Sequence, residues 1–458
     1  MAIFVTKRLL RFITLLVVSL LILLSLSAHD STSSYLPASL DFSSYRNTEP
    51  QQQQQQQQVQ ENVGNLLKQN DEDGTLASTV AGPDKDEENK KNALHPAASL
   101  EEKTSTKNLK NVPDIKDSLS KDIVEFMAPS FENKGKRPKA TFVSLVRNSE
   151  LNPMLDAIKS VQKKFNNQFN YDWVFLNDDD FTDEFKSKIK ETIPNSTIKF
   201  GKIPKEHWSY PDYISTDKAA ETREKMKKII YGSSESYRHM CRYQSGFFWR
   251  HPIMEDYDWY WRVEPSTKLY CDIKYDVFQW MQDNDKAYGF TITIHEYLST
   301  IPTLWDTSKK FFEKHPDYLR KDNLMKFISD DGGKSYNLCH FWSNFEVANL
   351  NLWRSPAYTE YFDYLDHAGG FFYERWGDAP VHSIAVSAFL PKDRIHYFSD
   401  IGYHHPPYDN CPLDNKVFKD NNCECDQKHD FTWKGYACGR QYYDAAGITR
   451  PSYWEKYS

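Results

Sequence analysis

The chain has 458 residues, of which 39% are hydrophobic and 15% aromatic, with a formal net charge of -7. That is ample material for one large globular domain or two smaller ones. The modest negative charge and the lack of a basic stripe argue against a nucleic-acid partner.

Lys7, Arg8 and Arg11 precede an apolar run, Phe12 to Ala28. At ~1.5 Å per residue the run spans about 26 Å as a helix, close to the ~27 Å core of a thin early-secretory bilayer. Basic residues ahead of it favour a cytosolic N-terminus. Residues 1–11 therefore read as a cytosolic tail and 12–28 as a transmembrane signal anchor. Cleavage after Leu26-Ser27-Ala28, which ends in small residues, is the alternative, and either reading places the remainder in the lumen or outside the cell.

Residues 29–125 read as a lumenal stem of low complexity. They hold the Gln51–Gln58 tract and the charge run Asp84–Lys91, and their only aromatics are Tyr35, Phe42 and Tyr45. So little apolar surface cannot offset the entropy of ordering a chain, so disorder is expected there. The catalytic material lies in 126–458.

Within that region Lys139–Val146 is a β-branched apolar run ending at Arg147. A helical stretch follows from Met154 to Phe165, then a second buried-strand run, Trp173–Leu176. Strand, helix and strand with polar residues at each strand's end form the pattern of an α/β nucleotide-binding sheet. Ligands sit beyond the carboxyl ends of such strands. Neither a dinucleotide fingerprint nor a P-loop is present. Asn195-Ser196-Thr197 is a glycosylation sequon, compatible with a lumenal surface.

A third strand, Asp258–Val263, runs into Glu264-Pro265-Ser266. A carboxylate at a strand end, stiffened by proline, suits a divalent cation over a diphosphate. In Tyr336–Asn349 the polar groups His340, Asn344, Glu346 and Asn349 are threaded between aromatics. That composition fits a sugar pocket, and equally an amphipathic segment with its polar side in water. Glu374–His382 offers Asp378 at a glycine turn before a helix start. Tyr403–Tyr408 offers His404 and His405 ahead of Pro406-Pro407, a metal-ligand candidate beside Glu264.

All seven cysteines fall from Cys241 onward, and Cys411, Cys423, Cys425 and Cys438 crowd the tail. The spacing lacks the paired Cys-x-x-Cys knuckles of a zinc site, so disulfides are the expected state in an oxidising lumen. Geometry disfavours a Cys423–Cys425 bond, which leaves two connectivities among the four. Seven is odd, so at least one thiol stays free or pairs with another chain.

The strings Ser236–Arg250, Trp261–Pro265, Tyr336–Glu346, Glu374–His382 and Gly402–Cys411 together resemble the fungal KTR family of α-1,2-mannosyltransferases, glycosyltransferase family 15. The likeness runs from about Phe126 to the C-terminus, and the tail, anchor and stem layout fits it. The resemblance implies a GT-A type mixed α/β fold, GDP-mannose as donor, Mn²⁺ as cofactor and retention at the anomeric carbon. It also implies mannosylated glycoprotein acceptors, with O-linked chains, N-linked chains or both as the glycans extended, and a Golgi membrane location.

By the same resemblance Glu264 and His405 match the metal and diphosphate region. Arg147, Tyr237 and Arg262 match donor-binding positions, Glu346 the proposed nucleophile and Asp378 a second active-site carboxylate. Ser266 departs from the family motif, which commonly has Asp two residues after the Glu; a neutral hydroxyl cannot supply that second charge. Two other classes compete: a glycosidase, active without nucleotide or metal, and a non-catalytic lectin-like module on a membrane stalk, binding sugar without releasing GDP.

Overall fold

The computed structural model describes residues 135–458. The expected tail, anchor and stem (1–11, 12–28 and 29–125) and the first residues of the catalytic region lie outside the described residues. Among the described residues no helix is long and apolar enough to cross a membrane.

The expected strands form as β1 (Ala140–Leu145), β2 (Asp172–Asn177) and β4 (Trp259–Arg262), with β3 (Ile198–Lys202) beside β2. These four are parallel, β1 lying between β2 and β4. Side chains alternate between the two faces of a strand. Phe142, Trp173 and Trp261 thus gather on one face, Phe142 lying 4.5 Å from Trp173 and 5.5 Å from Trp261 between ring centroids. Val143, Val174, Leu176 and Tyr260 join the main core on the other face.

Past β4 the sheet becomes mixed. A further strand, β6 (Tyr288–Phe290), pairs with β9 (Val347–Asn349), which also pairs with β4, antiparallel in both cases, and β10 (Ile395–Tyr397) closes the edge beside β6. The seven-strand order is β10-β6-β9-β4-β1-β2-β3. The segment Tyr336–Asn349 is therefore two short strands, β8 (Cys339–Phe341), paired antiparallel with β7 (Thr293–His295), and β9, with Glu346 at the entry to β9.

Helix α1 (Leu151–Val161) and the turn after it, ending at Asn166, cover the expected helical stretch. Helix α2 (Glu235–Gly246) is capped by the Ser234 hydroxyl, which accepts from the Tyr237 N–H. Helix α3 (Asp378–Phe389) is buried along nearly its whole length. Strand β11 (Tyr403–His405) pairs with β5 (Lys268–Leu269) and with β12 (Tyr408–Asn410), holding the two imidazoles near the end of β4.

The cysteine expectation needs correction. Cys411 bonds Cys425, but Cys423 bonds Cys271 and Cys438 bonds Cys339, so the four tail cysteines are not a closed set. Two of the three bridges fasten the tail to the sheet region. Folding brings β5 and β8 against the tail, a proximity that sequence spacing does not encode. Cys241 is the unpaired cysteine and is buried in α2.

Candidate active site

Tyr260, Arg262 and Glu264 are spaced by two, so the strand and its extension present them on one side. Arg262 is the hub. Its Nε donates to Glu264 Oε1 at 2.8 Å and its Nη1 to Asp378 Oδ2 at 2.5 Å. A guanidinium can hold two carboxylates at once because its donors form a planar fork. Asp378 also accepts from the Ser343 hydroxyl at 2.8 Å and stands in the first turn of α3, where the helix dipole favours an anion. Burial acts most strongly and upward on the Asp378 carboxyl, but the charge and hydrogen bond of Arg262, with His382 and the Ser343 hydroxyl, together hold it below the usual range.

Glu264 is a quarter exposed, and its second oxygen lies 3.5 Å from His405 Nε2. Burial again acts upward, yet Arg262 and His405 bring this carboxyl down to about 2. Trp342 packs edge-on against the His405 ring at 4.6 Å. Glu264 and His405 thus offer one hard oxygen and one imidazole at a partly open mouth, a donor pair that suits Mn²⁺.

Glu346 is fully buried, directly opposite Arg262 in the β4–β9 register; its carbonyl accepts from the Arg262 N–H at 2.8 Å. Oε2 accepts from the Tyr260 hydroxyl at 2.9 Å, and Oε1 accepts from Tyr288 at 2.9 Å and meets His382 Nδ1 at 2.8 Å. The His382 ring stacks on Trp353 at 4.3 Å.

Tyr237, in the first turn of α2, accepts from Arg375 Nη1 at 3.2 Å, and Arg375 pairs with Glu296 at 3.4 Å. Arg147 stands exposed just past β1. The structure therefore brings Arg262, Glu264, Asp378 and His405 into one bonded cluster, with Glu346 beneath it. Tyr237 lies on a neighbouring rail, and Arg147 makes no side-chain contact to the cluster among the described interactions.

A family model described as glycolipid 2-alpha-mannosyltransferase matches residues 85–447. The glycolipid 2-alpha-mannosyltransferase of Saccharomyces cerevisiae is 55% identical over 463 residues, covering 100% of both chains. The chain belongs to the KTR family of α-1,2-mannosyltransferases, glycosyltransferase family 15. The O-glycoside alpha-1,2-mannosyltransferase omh1 of Schizosaccharomyces pombe is 47% identical over 350 residues, 75% of this chain and 89% of that one. The crystal structure of core-mannan synthase A (CmsA/Ktr4) of Aspergillus fumigatus, in its Mn/GDP form, has a TM-score of 0.64 and 39% identity, covering 70% of this chain and 88% of that chain. The mixed α/β glycosyltransferase fold follows from that likeness, and family membership favours neither the glycosidase nor the lectin-like alternative.

Sequence reasoning passed over the shell of Glu346 in this family member: Tyr260, Tyr288 and His382, with Ser343 at Asp378. Two signals were available. Tyr260 is two residues before Arg262 on a strand, and His382 is four residues after Asp378, on the same helix face. Ser266 is exposed in the turn after β4, with φ of 66°. A serine tolerates that left-handed conformation less readily than Asn or Asp. His295, Cys339 and Cys438 form a metal-ligand cluster by distance among the described residues, but the two sulfurs are bonded to each other and unavailable as thiolates.

Proposed function

We propose that this enzyme transfers mannose from GDP-mannose, with retention, to mannose-terminated glycans of glycoproteins, O-linked ones above all. The observation that carries the reading is Arg262 bridging Glu264 and Asp378, with His405 beside Glu264. Glu264 and His405 would hold Mn²⁺, which supplies positive charge to the diphosphate of the donor. The S. pombe relative is named for O-glycoside transfer, which supports the acceptor class.

The chain's own groups then act as follows. Arg147 and Arg262 offset negative charge growing on the departing GDP as the C1–O bond breaks. Glu346, held by three donors and closed to solvent, presents a fixed negative charge under the developing oxocarbenium ion. Its burial supports that role over covalent capture of C1. The acceptor hydroxyl forms the new C1–O bond on the face GDP leaves, and its proton passes to the departing diphosphate. Asp378 keeps Arg262 in place, and Tyr237 contributes to the donor side.

The GT-A architecture, the anchor at 12–28, the stem at 29–125 and the catalytic region at 126–458 complete the proposal, with a type II orientation in the Golgi membrane. Three disulfides suit an oxidising lumen. Protease protection of the catalytic region in sealed vesicles, lost on adding detergent, is the expected result.

The direct test incubates the purified full-length chain with GDP-mannose, α-methyl mannoside and Mn²⁺, with and without chelator. An α-1,2-linked disaccharide formed only with metal is expected. Folded protein that binds GDP yet yields no product would sink the reading, and mannoside cleavage without nucleotide would replace it with a glycosidase.

A further inference from the structure

The loop ahead of α2 holds an aromatic residue in a conformation that such residues avoid. Tyr231 has φ of 55°, in the left-handed region that is an outlier for a bulky side chain. Consecutive short turns enforce it: the Ile229 N–H donates to Met226 O, the Gly232 N–H to Ile229 O and the Ser234 N–H to Tyr231 O. Gly232 cannot change, because a Cβ there would stand 1.9 Å from Met226 O. Strain of this kind persists where the surroundings over-determine it, and it clusters at functional sites.

What the strain achieves is display. Tyr231 is 46% exposed, one of three large apolar or aromatic side chains so exposed among the described residues. One face of its ring stacks on Tyr237, 4.5 Å between centroids at 11°. The stack leads inward: Tyr237 accepts from Arg375, Arg375 pairs with Glu296, and the Glu296 carboxylate lies 3.7 Å from where a Cβ on Gly377 would stand, next to Asp378. Leu298, 60% exposed, follows Glu296 by two residues. A series of contacts thus runs from the turn just ahead of Asp378 to an aromatic surface at the rim.

We propose that Tyr231 is a specificity-determining platform for the second sugar ring of the acceptor, counted from the mannose that is extended. The proposal rests on the mannoside-acceptor reading above. A pyranose carries C–H groups on one face and hydroxyls at its edge, so it packs on a tyrosine ring while its edge meets polar neighbours. The alternative occupant of an exposed tyrosine here is the guanine base of the donor. Its stacking partner Tyr237 serves the donor side, but Tyr231 is the more exposed of the two and is carried by the loop ahead of α2, not by the strand ends that carry Arg147, Glu264 and His405, and this favours the acceptor.

The test compares KM values of the full chain and of Tyr231→Ala for α-methyl mannoside, an α-linked mannobiose and GDP-mannose. The mannobiose KM is expected to rise about tenfold, the loss of one modest contact. Its ratio to the methyl mannoside KM is the readout, and Tyr231→Phe should retain the wild-type ratio. Tyr231→Gly, at ease in the left-handed region, replaces the alanine variant if that one fails to fold. An unchanged ratio overturns the proposal, as does a selective rise in the GDP-mannose KM, which would assign the ring to the base. Wild-type protein inactive on every mannoside would instead overturn the acceptor reading, and the platform with it.

Discussion

His382 Nδ1 lies 2.8 Å from Glu346 Oε1, while Nε2 of the same ring lies 3.2 Å from the Gln244 carbonyl. The imidazole thus ties the carboxyl to the backbone of α2 through its two ring nitrogens, in a closed site where Tyr260 and Tyr288 donate to the same carboxyl. Replacing Glu346 with Gln keeps the shape and removes the charge. Turnover should fall roughly 100-fold or more, the scale of losing one preorganised electrostatic contact. The KM for GDP-mannose should stay within about threefold. Steady-state kinetics check this, and unchanged turnover would remove Glu346 from any chemical role.

His382 is testable apart from Glu346. His382→Leu leaves the carboxyl without one donor and should lower kcat by about tenfold or more, the scale of one lost hydrogen bond to a charged group. His382→Asn, whose amide can still donate, should recover part of that loss. A fall in stability without any effect on kcat would show that the imidazole serves packing on Trp353 alone.

Arg262 joins two carboxylates in a nearly closed setting, its side chain and that of Asp378 each 6% exposed. Removing one partner of a buried pair strands the other's charge. Arg262→Met should therefore cost about 3–5 kcal/mol, apart from its effect on catalysis. Asp378→Asn in the same chain removes the stranded charge, so the double variant should be more stable than the two single losses added together. Denaturant melts of the four proteins measure the coupling.

The parts of this site that could be read in advance are those carried by one short segment. Continuous apolar runs mark β1, β2 and β4, and the carboxylate at the end of β4 marks Glu264 as a ligand candidate, whereas the role of Arg147 at the end of β1 comes from the family resemblance and its side chain stands apart from the cluster. Glu346 was singled out by its aromatic neighbours, but its burial was not, because Tyr260, Tyr288 and His382 reach it from two other strands and a helix. That meeting depends on β9 running antiparallel between β4 and β6. A three-residue strand has too little pattern to fix its pairing. The disulfides failed for the same reason. Cys271 and Cys339 lie 152 and 99 residues from their partners, beyond anything local spacing can reveal.

Those long spans carry a stability prediction of their own. A bridge closing about 150 residues restricts the unfolded chain more than one closing about 15, by roughly 2 kcal/mol in the chain-entropy model. Removing Cys271–Cys423 by paired serine substitution should therefore lower stability more than removing Cys411–Cys425, which spans 14 residues. Thermal melts of the two paired variants decide it. Equal losses would mean that the unfolded chain keeps the tail near the sheet without the bridge.

Asp400 supplies a pH dependence of known sign. Burial pushes its carboxyl up to about 6, and the Tyr275 hydroxyl offsets this only in part. An unfolded aspartate titrates near ~3.9. Between those two values the folded chain holds a proton at Asp400 that the unfolded chain has released. Stability contributed by this group is therefore complete below pH ~3.9 and is lost as pH rises toward 6. Other carboxyls act in the opposite sense, Glu264 among them, held at about 2 and losing its contribution only in stronger acid. The Asp400 effect is best isolated as a difference. Asp400→Asn should unfold at about the wild-type temperature near pH 4 and become relatively more stable than wild type as the pH approaches 7. A constant gap between the two proteins from pH 4 to 7 would show that Asp400 is ionised in the folded chain throughout.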